Sequence, residues 1–313
     1  MTRPVSIVIP SLGDVAQLER ALAALRAEVQ ARGVEDQILV VDDTGKDVLR
    51  RALDVGWPDV RVHPRKLNGG FGAAAFDGAQ AADYRLMFLM HPDVIVRPGA
   101  LTALVDALAD DGVFAASPRV LEGGGDDRAA ARRGVALEDG RLALHDVSGA
   151  LPVDEEECVP IAFAPACAML VRREEFIAMG GFDRFLAPLH FEDVDLGLTA
   201  WRRGRRVVEV PLAVVEHHSG GTLNDHVPPA LSRAAMERNR LLVQWKHLST
   251  KREAHDHLVS LWRDALDAGI TGRREDLVHL ALALRELDAV GAARSAMADA
   301  RIGLEAALAL GQP

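Results

Sequence analysis

Three carboxylates fall within four positions in Phe191-Glu192-Asp193-Val194-Asp195-Leu196, shortly after the turn Gly180-Gly181-Phe182-Asp183. Acidic side chains are seldom taken out of water without a partner, because an uncompensated buried charge is costly. At a helix start all three would complement the positive end of the helix dipole. In a cleft, one of them would be an active-site carboxylate with a supporting neighbour.

Other acids stand at the ends of apolar runs. Asp42-Asp43 closes Gln37-Ile38-Leu39-Val40-Val41, and Asp93 follows Arg85-Leu86-Met87-Phe88-Leu89-Met90 after the stiff step His91-Pro92. A carboxylate such as Asp93 offers the hard oxygen that Mg²⁺ or Mn²⁺ takes; capping of a helix near Arg97-Pro98-Gly99 is the plainer role. The turn Asn68-Gly69-Gly70-Phe71-Gly72 could aim backbone N–H groups at an anion. It lacks both the P-loop Gly-Lys-Ser/Thr and the G-x-G-x-x-G fingerprint, so an ordinary tight turn also explains it. His217 and His218 leave an extended segment before Gly220-Gly221-Thr222. Adjacent side chains there point opposite ways, so at most one of the two faces any site.

The elements that must position these residues alternate. Val5 to Ile9 reads as a strand, and Val15, Leu18, Leu22, Leu25 and Val29 recur at helical spacing up to Gly33. Gln37 to Val41 is a second strand, Val48 to Leu53 a helix, Val60 to His63 a third strand, Ala73 to Ala82 a helix and Arg85 to Met90 a fourth strand. Leu101, Leu104, Val105 and Leu108 mark the next helix. Such alternation predicts βαβ units around a mostly parallel central sheet flanked by helices, with ligands at the carboxyl ends of the strands. The pattern breaks from Glu122 to Asp146, a loop or small hairpin, and Asp154 to Glu157 reads as a solvated acidic face. Ile161 to Val171 is expected as one strand, Arg172 to Met179 as a helix, and Val207 to Val210 and Val214 to His218 as further extended stretches. Beyond residue 230 the chain reads as helical only. Two faces, Leu258-Leu261-Trp262-Ala265-Leu266 and Leu277-Leu280-Ala281-Leu284-Leu287, suit a packing or homo-oligomerisation appendage.

Bulk properties narrow the class. The 313 residues carry a formal charge of -10, which argues against nucleic acid as a partner, and 49% hydrophobic content supports a sizeable core. Cys158 and Cys167 have neither metal-ligand spacing nor a disulfide framework, which fits a reducing compartment. The N-terminus enters a strand rather than a signal peptide, and no apolar run approaches the about 18 residues a membrane helix needs. A cytoplasmic protein is expected, with peripheral attachment at the inner face of the membrane left open.

In their order, these pieces resemble the inverting glycosyltransferases of family 2 with the GT-A fold, especially the rhamnosyltransferase-like and galactofuranosyltransferase-like branch. Val5-Ser6-Ile7-Val8-Ile9-Pro10 resembles the opening strand, and Val40-Val41-Asp42-Asp43 the acidic strand end beside the nucleoside. Asn68-Gly69-Gly70-Phe71-Gly72 is similar to the Asn-x-Gly-Phe segment, and Met90-His91-Pro92-Asp93 stands where a D-x-D or N-P-D metal motif would be. Ala168 to Arg173, Gly180 to Asp183, Phe191 to Leu196 and His217 to Thr222 follow in family order over roughly residues 4–245.

That resemblance implies a GT-A domain over residues 1–230 and a helical region over 231–313. It also implies a nucleotide-diphosphate sugar as donor, a divalent cation (Mg²⁺ or Mn²⁺), and a hydroxyl acceptor on a polysaccharide, lipid-linked glycan or other glycoside. By the same resemblance Pro10, Ser11, Asp42, Asp43, Asn68, Gly69, Gly70, His91 and Asp93 line the nucleotide-sugar site, and Asp93 and His217 hold the metal. Asp193 is the implied base, with Glu192 orienting, while Asp195 is left as the ordinary helix-start carboxylate. His91 departs from the motif, since imidazole is a poorer Mg²⁺ ligand than carboxylate. Two rivals share the fold: a degenerate sugar-nucleotide-binding or scaffolding protein, and a nucleotidyltransferase. The latter would carry a basic, Gly-rich N-terminal signature that Pro10-Ser11-Leu12-Gly13-Asp14 lacks.

Overall fold

Strand β1 (Val5–Ser11) is buried at every position, as its unbroken apolar run requires of a central parallel strand. It pairs in parallel with β2 (Gln37–Asp42) and β4 (Leu86–Met90), and β2 pairs in parallel with β3 (Val60–Pro64). Helices α1 (Val15–Arg32), α2 (Val48–Leu53) and α3 (Gly70–Ala81) make the connections. The Asp14 carboxylate caps α1 by accepting from Gln17 N, and Gly33 ends it in the left-handed region at φ 63°. Helix α3 lies close on the sheet because Gly78 has no side chain; a Cβ there would meet Val8 Cγ1, and Val41 Cγ2 at 2.9 Å. The computed structural model describes residues 3–123, 133–147, 157–188, 190–218, 228–273 and 277–312.

Past β4 the sheet becomes mixed. β10 (Ala168–Arg172) inserts antiparallel between β4 and β6 (Val113–Glu122), β11 (Arg206–His217) runs parallel to β6, and β5 (Val94–Val96) closes the edge antiparallel to β11. The order β3-β2-β1-β4-β10-β6-β11-β5, with β9 (Val159–Pro160) on β11, bears out the α/β architecture. Two expectations need correction. Ile161 to Val171 is not one strand: only its end is extended in the sheet, and Pro165, without an N–H, lies in the irregular approach. Val207 to Val210 and Val214 to His217 are one strand, bent by a register shift between Val210 and Val214.

The break after Glu122 contains a hairpin, β7 (Arg133–Glu138) and β8 (Arg141–Asp146). Its two-residue turn, Asp139-Gly140, has both residues at positive φ (48° and 77°), the type I′ arrangement Asp-Gly favours. Asp154 to Glu156 and Gly220-Gly221-Thr222 lie outside the described residues.

Helices α7 (Pro229–His247), α8 (Lys251–Thr271), α9 (Val278–Leu284), α10 (Leu287–Ser295) and α11 (Leu304–Leu310) complete the chain. They share a core with the rest: Val194 and Leu198 of α6 (Glu192–Arg202) pack with Leu241 and Leu242 of α7 and Leu304 and Leu308 of α11. Among the described residues no helix is long and apolar enough to cross a membrane.

Candidate functional site

Two consecutive residues in the left-handed region, His190 (φ 71°) and Phe191 (φ 70°), turn the chain into α6. Such a backbone is strained for non-glycine residues and must be held from outside. Asn239 of α7 holds it, its Nδ2 donating to Leu186 O (2.6 Å) and His190 O (2.9 Å). The turn sets Glu192 and Asp193 side by side. Asp193 Oδ2 accepts from Ala166 N (3.2 Å) and Oδ1 from Val194 N (2.9 Å), while burial raises its pKa. Burial and then the neighbouring Asp193 push Glu192 up to about 8, and its buried Oε2 has no hydrogen-bond partner. At neutral pH Glu192 is therefore protonated, whereas the N–H donors of Ala166 and Val194 favour the charged form of Asp193 against its burial.

Asp195 is not the ordinary first-turn carboxylate expected. It is 2% exposed and accepts from Lys246 Nζ (2.7 Å), with His247 Nε2 at 2.9 Å. Lys246 Nζ also donates to Asp183 Oδ2 (2.7 Å) and Thr199 Oγ1 (3.2 Å). Burial opposes the charge on Asp195, yet Lys246 and His247 hold its pKa below the usual carboxylate range. Burial and Asp195 raise Asp183 to about 6, and burial pushes His247 down to about 4. The cluster ties the last turn of α7 to α6, the helix that presents Asp193. In the sequence Lys246-His247 reads only as a basic helix end.

A second group forms where the sheet ends. β5 pairs with β11 so that Val94 faces His217, and His218 N donates to Asp93 O at 3.0 Å. One ligand atom each from His91, Asp93 and His217 lie within 4.8 Å of one another. His217 Nε2 stands 3.2 Å from Asp93 Oδ2 and His91 Nδ1 3.8 Å from Asp93 Oδ1. Asp93 Oδ1 and His217 Nε2 are buried without a hydrogen-bond partner, which suits a cation. Burial pushes His91 down to about 4, leaving a neutral imidazole with a free lone pair. Burial opposes ionisation of Asp93, but His217 and His91 bring its pKa below the usual value. His91, the residue that departs from the family motif, thus joins the set. His218 faces Glu216 instead (3.4 Å), as alternation along a strand requires.

The two groups are neighbours. Ala166 N bonds Asp193, and the next residue, Cys167, accepts from His91 N through its carbonyl (2.9 Å). Burial, then Asp193 and Asp93, push the Cys167 thiol up to about 12, so both carboxylates act on the same sulfur. Phe71 packs its ring 4.8 Å from His91 and 5.6 Å from Phe182, which joins the Gly-rich turn and the Gly-Gly-Phe turn to this spot.

The acids at the end of β2 are used internally. Asp42 is 0% exposed; Oδ1 accepts from Thr44 N (3.0 Å) and Oγ1 (2.6 Å), and Oδ2 from Leu49 N (2.8 Å). Asp43, 2% exposed, accepts from Gly69 N (3.0 Å), Gly70 N (2.9 Å) and the Arg65 guanidinium. The anion held by the Gly-rich turn is thus Asp43 itself. Asn68 Oδ1 also accepts from Gly70 N (3.0 Å), and a Cβ on Gly69 would lie 2.5 Å from Arg65 Nη1. Pro10 and Ser11 are buried at the end of β1, where Ser11 O accepts from Asp43 N (3.0 Å). Nothing in the sequence beyond a positive charge near two acids signalled Arg65.

Residues 3–240 match the family model described as glycosyltransferase like family 2. Over 243 residues, 70% of this chain and 77% of the relative, the sequence is 30% identical to N-acetylglucosaminyl-diphospho-decaprenol L-rhamnosyltransferase of Mycobacterium tuberculosis. Among solved structures, GalNAc-T7 with UDP, GalNAc and Mn²⁺ superposes with a TM-score of 0.61 at 17% identity, over 77% of this chain and about half (49%) of that one. Mannosyltransferase PcManGT from Pyrobaculum calidifontis, in complex with GDP-Man and Mn²⁺, gives a TM-score of 0.55 at 16% identity over 95% of this chain and 86% of the other. At those identities the two structures speak to the fold, and they bear out the GT-A expectation.

Proposed function

The chain belongs to glycosyltransferase family 2, and on that premise we propose that it transfers a sugar, with inversion, from a nucleoside-diphosphate donor to a hydroxyl of a lipid-linked glycan. The relative's N-acetylglucosaminyl-diphospho-decaprenol acceptor supports the acceptor class, and the nucleotides and Mn²⁺ bound by the structural neighbours support the donor class and the metal. The observation that carries the reading is the pairing of two groups across Ala166-Cys167. On one side stand the unpartnered atoms of Asp93 and His217 with His91, and on the other the carboxyl pair Glu192-Asp193.

His91, Asp93 and His217 would hold the cation. Bound there, it would supply a Lewis acid for the departing diphosphate. Asp193, whose charged form is favoured by two backbone N–H donors, takes the proton from the acceptor hydroxyl as that oxygen attacks the anomeric carbon from the face opposite the diphosphate. The N–H groups of Ala166 and Val194 fix the carboxylate without neutralising it. Asp42, with both oxygens engaged inside the protein, acts as a positioning residue, and Asp43 with Arg65 shapes the turn beside the nucleoside. We read residues 231–313 as a brace on the catalytic half, and a lipid-linked acceptor as what brings the chain to the inner face of a membrane.

The test is release of nucleoside diphosphate from a panel of UDP-, GDP- and dTDP-sugars with Mn²⁺ or Mg²⁺. Asp193→Asn is expected to lower kcat by about 10²–10⁴ with donor affinity retained. Unchanged turnover would remove Asp193 from the role of base.

A further inference from the structure

Helix α6 starts without a side-chain cap: Phe191, the residue flanking it, is in the left-handed region and makes no capping hydrogen bond. Two bulky residues in succession at positive φ, His190 and Phe191, therefore decide where Glu192 and Asp193 point. A backbone of this kind persists only where surrounding groups over-determine it. Those groups come from α7.

The carbonyls of Leu186, Ala187 and His190 all accept from two adjacent side chains, Arg238 and Asn239. The Asn239 amide nitrogen donates to Leu186 O (2.6 Å) and to His190 O (2.9 Å), so one group closes the segment from both ends. Arg238 Nη1 donates to Ala187 O (3.2 Å) and to Asn239 Oδ1 (2.9 Å), which keeps the amide nitrogen turned towards the carbonyls. Arg238 Nη2 in turn donates to Glu286 Oε1 (3.1 Å), between α9 and α10. Asn239 is 0% exposed, and the Arg238 side chain 13%. Side chains of similar size cannot replace this amide: Asp would face two carbonyls with an oxygen, and Leu donates nothing.

The same helix reaches α6 again two turns on. Lys246 follows Asn239 by seven residues, on the same helical face, and its Nζ donates to Asp195 Oδ2 at 2.7 Å. Leu242, between them, shares a core with Val194 and Leu198 of α6. One face of α7 thus holds the chain on both sides of Asp193, at His190 and at Asp195. The cation group hangs on another part of the fold, where β5 pairs with β11.

We infer that Asn239 and Arg238 are positioning residues for the base: they fix the His190-Phe191 turn and, through it, the direction of the Asp193 carboxylate. The inference rests on the reading of Asp193 as base and goes past it by giving α7 a part in the chemical step.

Nucleoside diphosphate release is followed with the panel donor that turns over and N-acetylglucosaminyl diphosphate carrying a short prenyl chain as acceptor. Asn239→Asp keeps Oδ1 for Arg238 and withdraws both N–H donors. It should lower kcat about 10²-fold, with donor Kd and Mn²⁺ affinity in calorimetry within about twofold of wild type. Arg238→Gln should lower kcat about tenfold, and it stays readable if Asn239→Asp fails to fold. Each is then made in the Asp193→Asn background, where it should lower kcat by less than about twofold, because a misdirected amide is no worse a base than a well-directed one. A residue that only stabilises the fold lowers kcat by the same factor in both backgrounds. Hydrogen exchange of the amides from Leu186 to Val194 should rise about tenfold or more in Asn239→Asp, with β1 and β4 unchanged. Unchanged exchange overturns the hold on the turn, with or without turnover. Unchanged kcat in both single variants, or equal losses with and without Asp193, overturns the positioning role alone. Unchanged turnover in Asp193→Asn overturns the base reading and the inference with it.

Discussion

Replacing Lys246 with methionine keeps the aliphatic stem and removes the ammonium that bridges Asp183 and Asp195. The side chains involved are 7%, 25% and 3% exposed, so bulk water does not take over from the lost cation. What remains is a pair of carboxylates, with the buried His247 beside Asp195. Removing one partner of a buried ion pair costs about 3–5 kcal/mol, and two acids are orphaned here, so the upper part of that range applies at pH 8. The cost is pH-dependent with a definite sign. Asp183 already titrates at about 6, above its unfolded value of 3.8, and without Lys246 it rises further. A raised acid contributes stability that is present below the unfolded pKa and lost as pH rises through the folded one. The variant should therefore lag wild type most at pH 8 and progressively less towards pH 5. Urea unfolding of both proteins across that range measures it. A double variant with Asp195→Asn removes the surplus charge and should be more stable than the sum of the single effects. A deficit under about 1 kcal/mol, or one that does not shrink on acidification, would falsify the claim that this cluster clamps α6 to α7.

The remaining expectations concern neighbouring groups. Glu192, at about 8 in the folded chain against 4.5 for the free side chain, loses stability as pH rises between those values, so Glu192→Gln should be more stable than wild type at pH 9 and equal to it near pH 4 by thermal unfolding. The same substitution should erase any inflection near pH 8 in the rate profile. His217→Ala should weaken Mn²⁺ binding in calorimetry by at least about tenfold as one ligand of three is lost, whereas His218→Ala, facing Glu216, should not. Gly197→Ala places a Cβ against Ala162 O and 2.8 Å from Phe163 Cα, and backbone cannot swing aside as a side chain would. Its overpacking cost of about 1–3 kcal/mol should exceed the gain in helix propensity, and melting should show it.

Much of the fold was legible because strands and helices of the first half are local patterns. The unbroken apolar runs of β1, β2 and β4 and the helical spacing in α1 depend only on neighbours along the chain. The region Glu122 to Asp146, read from the sequence as a loop or small hairpin, holds the hairpin that turns at Asp139-Gly140. The inserted β10 was less so, since an antiparallel strand between β4 and β6 is chosen by sheet partners far away in the chain. At the candidate site, Asp93, Glu192 and Asp193 could be picked out by residue type and position, and His91 only through the family resemblance. His91 as a member of the cation group could not, because its place there depends on β11 returning beside β5.

The amino-acid sequence alone determined that acids end the strands of an α/β sheet and open a late helix, since strand ends and helix starts are set by short-range periodicity and by the few residue types that tolerate them. Only the tertiary structure decided which acids are free for chemistry. Asp42, Asp43 and Asp195 resemble Asp93 in local sequence, yet their oxygens are taken by Leu49, by the turn at Gly69 and Gly70, and by Lys246, 51 residues from Asp195. Asp93 Oδ1 and Glu192 Oε2 have no such partner. A carboxylate's availability is the balance of donors that folding brings to it, and those donors come mostly from segments remote in sequence.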